Sequence, residues 1–118
     1  MGKKITMYKF MGQTKLVSKF YDFFTSLMND IKDAIPGKFE ELADRGFKPT
    51  KRSKPYICHS KDGMYGPYEI APNIFIECCM DNNKMMKFAR MILEEFNIDP
   101  SNVVLYFKGD ESDDTEEE

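Results

Sequence analysis

The sequence predicts an α+β domain of the ferredoxin-like, split β-α-β kind, with two long helices on one face of an antiparallel sheet. Three observations carry this. Residues 14–35 and 81–96 place apolar side chains at the 3.6-residue spacing of amphipathic helices. Short runs rich in β-branched and aromatic residues lie before, between and after them. Turn residues punctuate the runs and give the order β-α-α-β-β-α-β over residues 1–109, followed by a disordered acidic tail at 110–118.

Ile5–Phe10 alternates Thr6, Tyr8 and Phe10 with Ile5 and Met7, as a strand does, and Gly12 ends it. The first helix is predicted from Thr14, as N-cap, to Ile35. Leu16, Val17, Phe20, Phe23, Phe24, Leu27, Met28 and Ile31 form its stripe, and Pro36-Gly37 stops it. Residues 38–45 form a short second helix, with Gly46 at the left-handed position after its end and Phe47 as the hydrophobic contact that follows such a cap. Residues 48–55 (KPTKRSKP) are a basic loop. Residues 56–60 and 68–71 are short strands around the turn-rich 61–67, and 74–79 is the clearest strand. Asp81 or Asn82 caps the third helix, which runs through Phe96 with Met85, Phe88, Ala89, Ile92 and Leu93 on its apolar side. Residues 103–107 close the sheet.

With 118 residues, 10 Phe and 6 Tyr, the chain can bury a core as one domain. No run approaches 18 apolar residues, so no membrane span is expected. The first strand is interrupted by Lys9 and too short for a signal-peptide core. Met1-Gly2 with Thr6 matches the myristoylation pattern, but a pattern this short recurs by chance. Cys58, Cys78 and Cys79 are an odd set, and adjacent strand residues point apart, so reduced thiols in a cytoplasmic protein are expected.

The net charge of −3 hides two opposite parts. Seven of the 20 acidic residues fall in 110–118 without a base, leaving 17 bases against 13 acids, or +4, in the rest.

His59 is the only histidine, which removes most Ser-His, Cys-His and multi-His schemes. Cys58-His59 and Cys78-Cys79 are neighbours in strands, so no more than half of these four side chains can converge on a metal. Glu40-Glu41 and Glu94-Glu95 sit on helix surfaces, and 63–66 lacks the spacing of a phosphate loop. The expectation is a protein that is not an enzyme and holds no cofactor or metal.

Binding surfaces are the alternative. If Val103, Leu105 and Phe107 face the core, Val104 and Tyr106 face out. If Ile74, Ile76 and Cys78 face in, Phe75 and Glu77 face out, with Tyr8 beside them. The basic loop offers Lys51, Arg52 and Lys54, and the turn 65–68 offers Tyr65 and Tyr68. The expected partner-binding set is therefore Lys51, Arg52, Lys54, Tyr65, Tyr68, Phe75 and Tyr106, serving a protein partner or a homodimer through the sheet. The bias towards Lys, Asn, Ile, Met and Phe, with the acidic segment, resembles small proteins encoded by bacterial viruses. The concrete expectation is a stoichiometric inhibitor of a host enzyme or defence complex. The alternative is a single-stranded nucleic-acid binder using Tyr8, Lys51, Arg52, Phe75 and Tyr106. RNA-recognition modules stack bases on such a sheet, but residues 74–79 (IFIECC) lack their aromatic-glycine run and Glu77 repels phosphates. A small-molecule cleft beside 61–73 ranks third.

Overall fold

A tight hairpin opens the chain. The computed structural model describes residues 4–48 and 55–108. Strand β1 (Ile5–Phe10) turns through Met11 and Gly12 into β2 (Gln13–Leu16), in register Phe10 to Gln13 and Met7 to Leu16. Met11 and Gly12 have φ of 53° and 78°. Positive φ at both central residues is the type I′ geometry that matches strand twist. The helical spacing of Leu16, Val17 and Phe20 extends the predicted helix back to Thr14. In the structure Thr14 and Leu16 are strand residues, and the Val17 N–H donates to the Thr6 carbonyl at 3.0 Å. Helix α1 starts only at Phe20 and runs to Ala34.

Helix α2 (Lys38–Arg45) lies between two left-handed glycines, Gly37 at its start and Gly46 at its end. The Phe47 N–H after Gly46 closes on the Leu42 carbonyl at 3.1 Å. Strand β3 (Ile57–Cys58) is short, and β4 (Pro67–Ala71) and β5 (Ile74–Glu77) form a second hairpin about Pro72-Asn73. Asp81 caps α3 (Asn82–Glu95), accepting from the Lys84 N–H at 2.8 Å. A 3-10 turn at Pro100–Asn102 leads into β6 (Val103–Phe107).

The class is α+β with antiparallel sheets. The predicted single sheet is replaced by two of three strands, β2-β1-β6 and β3-β5-β4. The reason lies in the central strands. β1 has β2 on one edge and β6 on the other, and β5 has β3 and β4, so neither keeps an edge for the other.

Helix α1 touches both sheets, through β1 and β4, and packs on α3. Its fully buried Phe23, Phe24, Leu27, Met28 and Ile31 fill the space between them. Aromatic rings dominate there. Phe24 stacks on Phe88 at 5.7 Å, Phe23 meets the Tyr8 edge at 5.2 Å, and Phe39 tilts against Phe96 at 5.0 Å. Two side chains tie α1 to β4: Asn29 donates to the Tyr68 hydroxyl at 2.8 Å and Lys32 to the Ile70 carbonyl at 2.9 Å.

Candidate functional site

The outer face of the β2-β1-β6 sheet is the first candidate. Strand pairing places Leu16, Met7 and Tyr106 directly across from one another, one from each strand. Beside this row lies a second, Thr14, Lys9 and Val104. Their neighbours Tyr8, Phe10 and Leu105 point the other way, into the helices, as strand alternation requires. Leu16 is 83% exposed and Val104 43%, with Met7 and Tyr106 half-buried. An apolar row crossing all three strands is a contiguous patch and not a scatter of single residues.

The predicted aromatic set does not assemble. Tyr8 is fully buried with Phe10 on the helix side of its sheet, and a register shift between Ile5 and Met7 brings Ile5 to that side as well. Its hydroxyl donates to Asp30 Oδ2 at 2.5 Å and accepts from Ser26 Oγ at 2.6 Å, and Lys15 Nζ pairs with Asp30 Oδ1 at 2.5 Å. Burial, then the Asp30 carboxylate, pushes ionisation of this phenol above its ordinary range. The cluster therefore holds a protonated tyrosine as a tie between β1 and α1.

Phe75 lies on the other sheet, between Cys58 and Glu69 on the outward face. Tyr68 faces α1 and the Tyr21 ring, so the turn offers Tyr65, 77% exposed, without it. Lys51, Arg52 and Lys54 fall outside the described residues.

Glu77, expected to face outward, is only 7% exposed. Its carboxylate accepts from the N–H groups of Tyr65 (2.8 Å), Gly66 (2.8 Å) and Cys79 (2.9 Å). The Cys78 N–H in turn donates to the Gly66 carbonyl at 2.8 Å. The acid is a clasp that folds the 63–67 turn back on the end of β5. An isolated carboxylate within an apolar strand run, near a Gly-rich turn, was the available signal for it.

His59 bridges two elements. Its Nε2 lies 2.6 Å from Asp44 Oδ1 on α2 and its Nδ1 2.9 Å from the Asn73 carbonyl in the β4–β5 turn. Both partners accept only, so the doubly protonated ring suits them and its pKa is raised, chiefly by the Asp44 hydrogen bond. The Cys58 thiol donates to the Ser60 carbonyl and not to this ring. Among the described residues no three His, Cys, Asp or Glu side chains converge on a metal position.

A cleft of about 480 Å³ opens between the start of β1, the start of α1 and the β5–α3 junction. Lys4, Lys19, Phe20, Cys79, Asn82 and Met85 are among its lining residues. Cys79 is exposed, while neighbouring Cys78 is buried, with its thiol pushed up to about 12 by burial and then by the Glu77 charge. Among the described residues, Lys4 and Lys19 have no carboxylate partner.

Comparison with protein-family models, characterised proteins and solved structures finds no match. No described helix is long and apolar enough to cross a membrane.

Proposed function

We propose that this chain is a non-enzymatic binding protein that acts by stoichiometric contact with a protein partner. The contact surface is the outer face of the β2-β1-β6 sheet. The observation that carries this is the apolar row Leu16–Met7–Tyr106 running across all three strands, with Val104 beside it. Apolar area of this kind, kept in water at a cost of about 25 cal/mol per Å², has its return when a partner covers it. Lys9 within the face favours a partner whose apolar patch carries an acidic group. A host enzyme or defence complex blocked by such a contact is the concrete form of the proposal.

The polar clusters support a binding role over a catalytic one. Tyr8, Asp30, Lys15 and Glu77 are each engaged in fixing one element to another. The nucleic-acid reading needs Tyr8, Phe75 and Tyr106 on one surface, and they lie in the core, on one sheet and on the other. Protein contact therefore ranks first.

The test is capture from host lysate with a photo-crosslinking residue at position 16. One partner crosslinked at unit stoichiometry is the expected result. Its capture is lost with Leu16→Asp or Tyr106→Asp and retained with Glu69→Lys, which alters the other sheet. Equal capture by all variants overturns the surface. Turnover of a substrate that disappears on replacing one polar residue overturns the non-enzymatic reading.

A further inference from the structure

The cleft beside the sheet has a second property. Lys4 and Lys19 stand on its rim without a carboxylate partner among the described residues, over a floor that includes Phe20 and Met85. The last described residue sits at the same place: the Lys108 N–H donates to the Lys4 carbonyl at 2.7 Å. The chain therefore leaves β6 at the mouth of this cleft. The residues that follow, 110–118, hold seven acids and no base.

We propose that this cleft is an acidic-peptide site and that its occupant is the chain's own segment 110–118, held by Lys4 and Lys19. Reach is no obstacle. Ten residues extend to about 33 Å, and the cleft begins beside Lys108, whose N–H is bonded to the Lys4 carbonyl on its rim. Tethering gives the segment an effective concentration on the order of millimolar, so weak ion pairs suffice to fill the site. α1 begins at the same rim with Lys19 as its N-cap residue and no side-chain cap bond. Its first-turn N–H groups face the same rim, where the Asp22 carboxylate of that turn, accepting from Ser18 Oγ, offsets them in part, so the two lysines carry the site. The pairs are solvent-exposed and so are individually weak and screened by salt. The contact is thus displaceable by salt or by a competing acidic peptide. The site does not overlap the apolar row on the outer sheet face, and the proposal stands apart from the function assigned to that row.

The experiment uses full-length protein and a variant with the seven acids of 110–118 replaced by Asn or Gln. Backbone amide spectra of the two, at low salt, are expected to differ at Lys4, Lys19, Cys79 and Asn82, and to coincide in 1 M NaCl. Lys4→Glu with Lys19→Glu in the full chain is expected to reproduce the neutral-segment spectrum around the cleft. In a Cys58→Ser background, Cys79 reacts with a neutral maleimide about threefold faster once the acids are neutralised, the factor for an ion-pair contribution within the range of exposed pairs. An uncharged reagent keeps simple repulsion of the probe out of the result. Differences spread over all lysine-bearing surfaces, differences that survive 1 M NaCl, or spectra that do not change at the cleft each overturn the proposal. Mass and light scattering accompany every variant, so association between copies is seen directly.

Discussion

The Glu77 carboxylate accepts the Gly66 N–H at 2.8 Å, across a turn so close that a Cβ on Gly66 would lie 3.0 Å from Cys79 Cβ and 3.1 Å from Cys79 N. The acid and the glycine are two halves of one device. Glycine lets the backbones approach, and the carboxylate then accepts from three N–H groups, those of Tyr65, Gly66 and Cys79.

Removing either half is expected to open the turn. Glu77→Ala removes the carboxylate that the Gly66 and Cys79 N–H groups donate to and is expected to cost about 2 kcal/mol or more in urea unfolding. Gly66→Ala forces backbone apart at Cys79 and is expected to cost about 1–3 kcal/mol. Because the two share the turn, the double variant is expected to lose less than the sum. Additive losses would show that they act separately.

The His59 bridge makes stability depend on pH. The folded-state pKa is raised, so the bridge contributes fully below the unfolded value of about 6.5 and is lost as pH rises through the folded value. Thermal melts across this window are expected to show a falling midpoint that Asp44→Asn flattens. A proton titration of the ring is expected to move back towards the ordinary value in that variant.

Tyr8→Phe keeps the ring against Phe23 and removes the hydroxyl between Ser26 and Asp30. A charge-assisted bond in a half-buried setting is worth about 2 kcal/mol, and chemical unfolding is expected to register that loss. Asp30→Asn is expected to cost at least as much, because Lys15 loses its ion pair as well.

Met11 occupies a left-handed backbone position, φ 53°, that asparagine tolerates better. Met11→Asn is expected to stabilise the β1–β2 hairpin by about 0.5–1 kcal/mol. A lower midpoint in urea would contradict the turn assignment.

The same residue explains the largest misreading of the sequence. A type I′ hairpin is announced by Asn-Gly or Asp-Gly, and Met-Gly carries only half that signal. Without it, Leu16, Val17 and Phe20 fall into phase with the true helix and extend it by a turn and a half. Where the local signal was complete, element and boundary were readable: Asp81 before α3, Gly46 after α2, and Pro72-Asn73 between β4 and β5. Alternation also placed Val104 and Tyr106 on the outer face, because β6 is regular. It misplaced Tyr8 because alternation groups Tyr8 with Phe10 but does not say which face of β1 the helices cover. The turn N–H groups on Glu77 and both partners of His59 lie 11–15 residues away, a separation at which single-chain patterns carry no pairing information.

β6 is an outer strand of its sheet among the described residues, and its five residues are Val, Val, Leu, Tyr and Phe. A strand like this is a template for its own copy. Antiparallel pairing about Leu105 sets Val103 against Phe107 and Val104 against Tyr106, which keeps each residue on its own face. The block of acids that follows, whether held at the cleft or released from it, places like charge close in sequence to this strand, the position a gatekeeper takes. Replacing the seven acids by Asn or Gln is therefore expected to raise association between copies at neutral pH, and light scattering reads it.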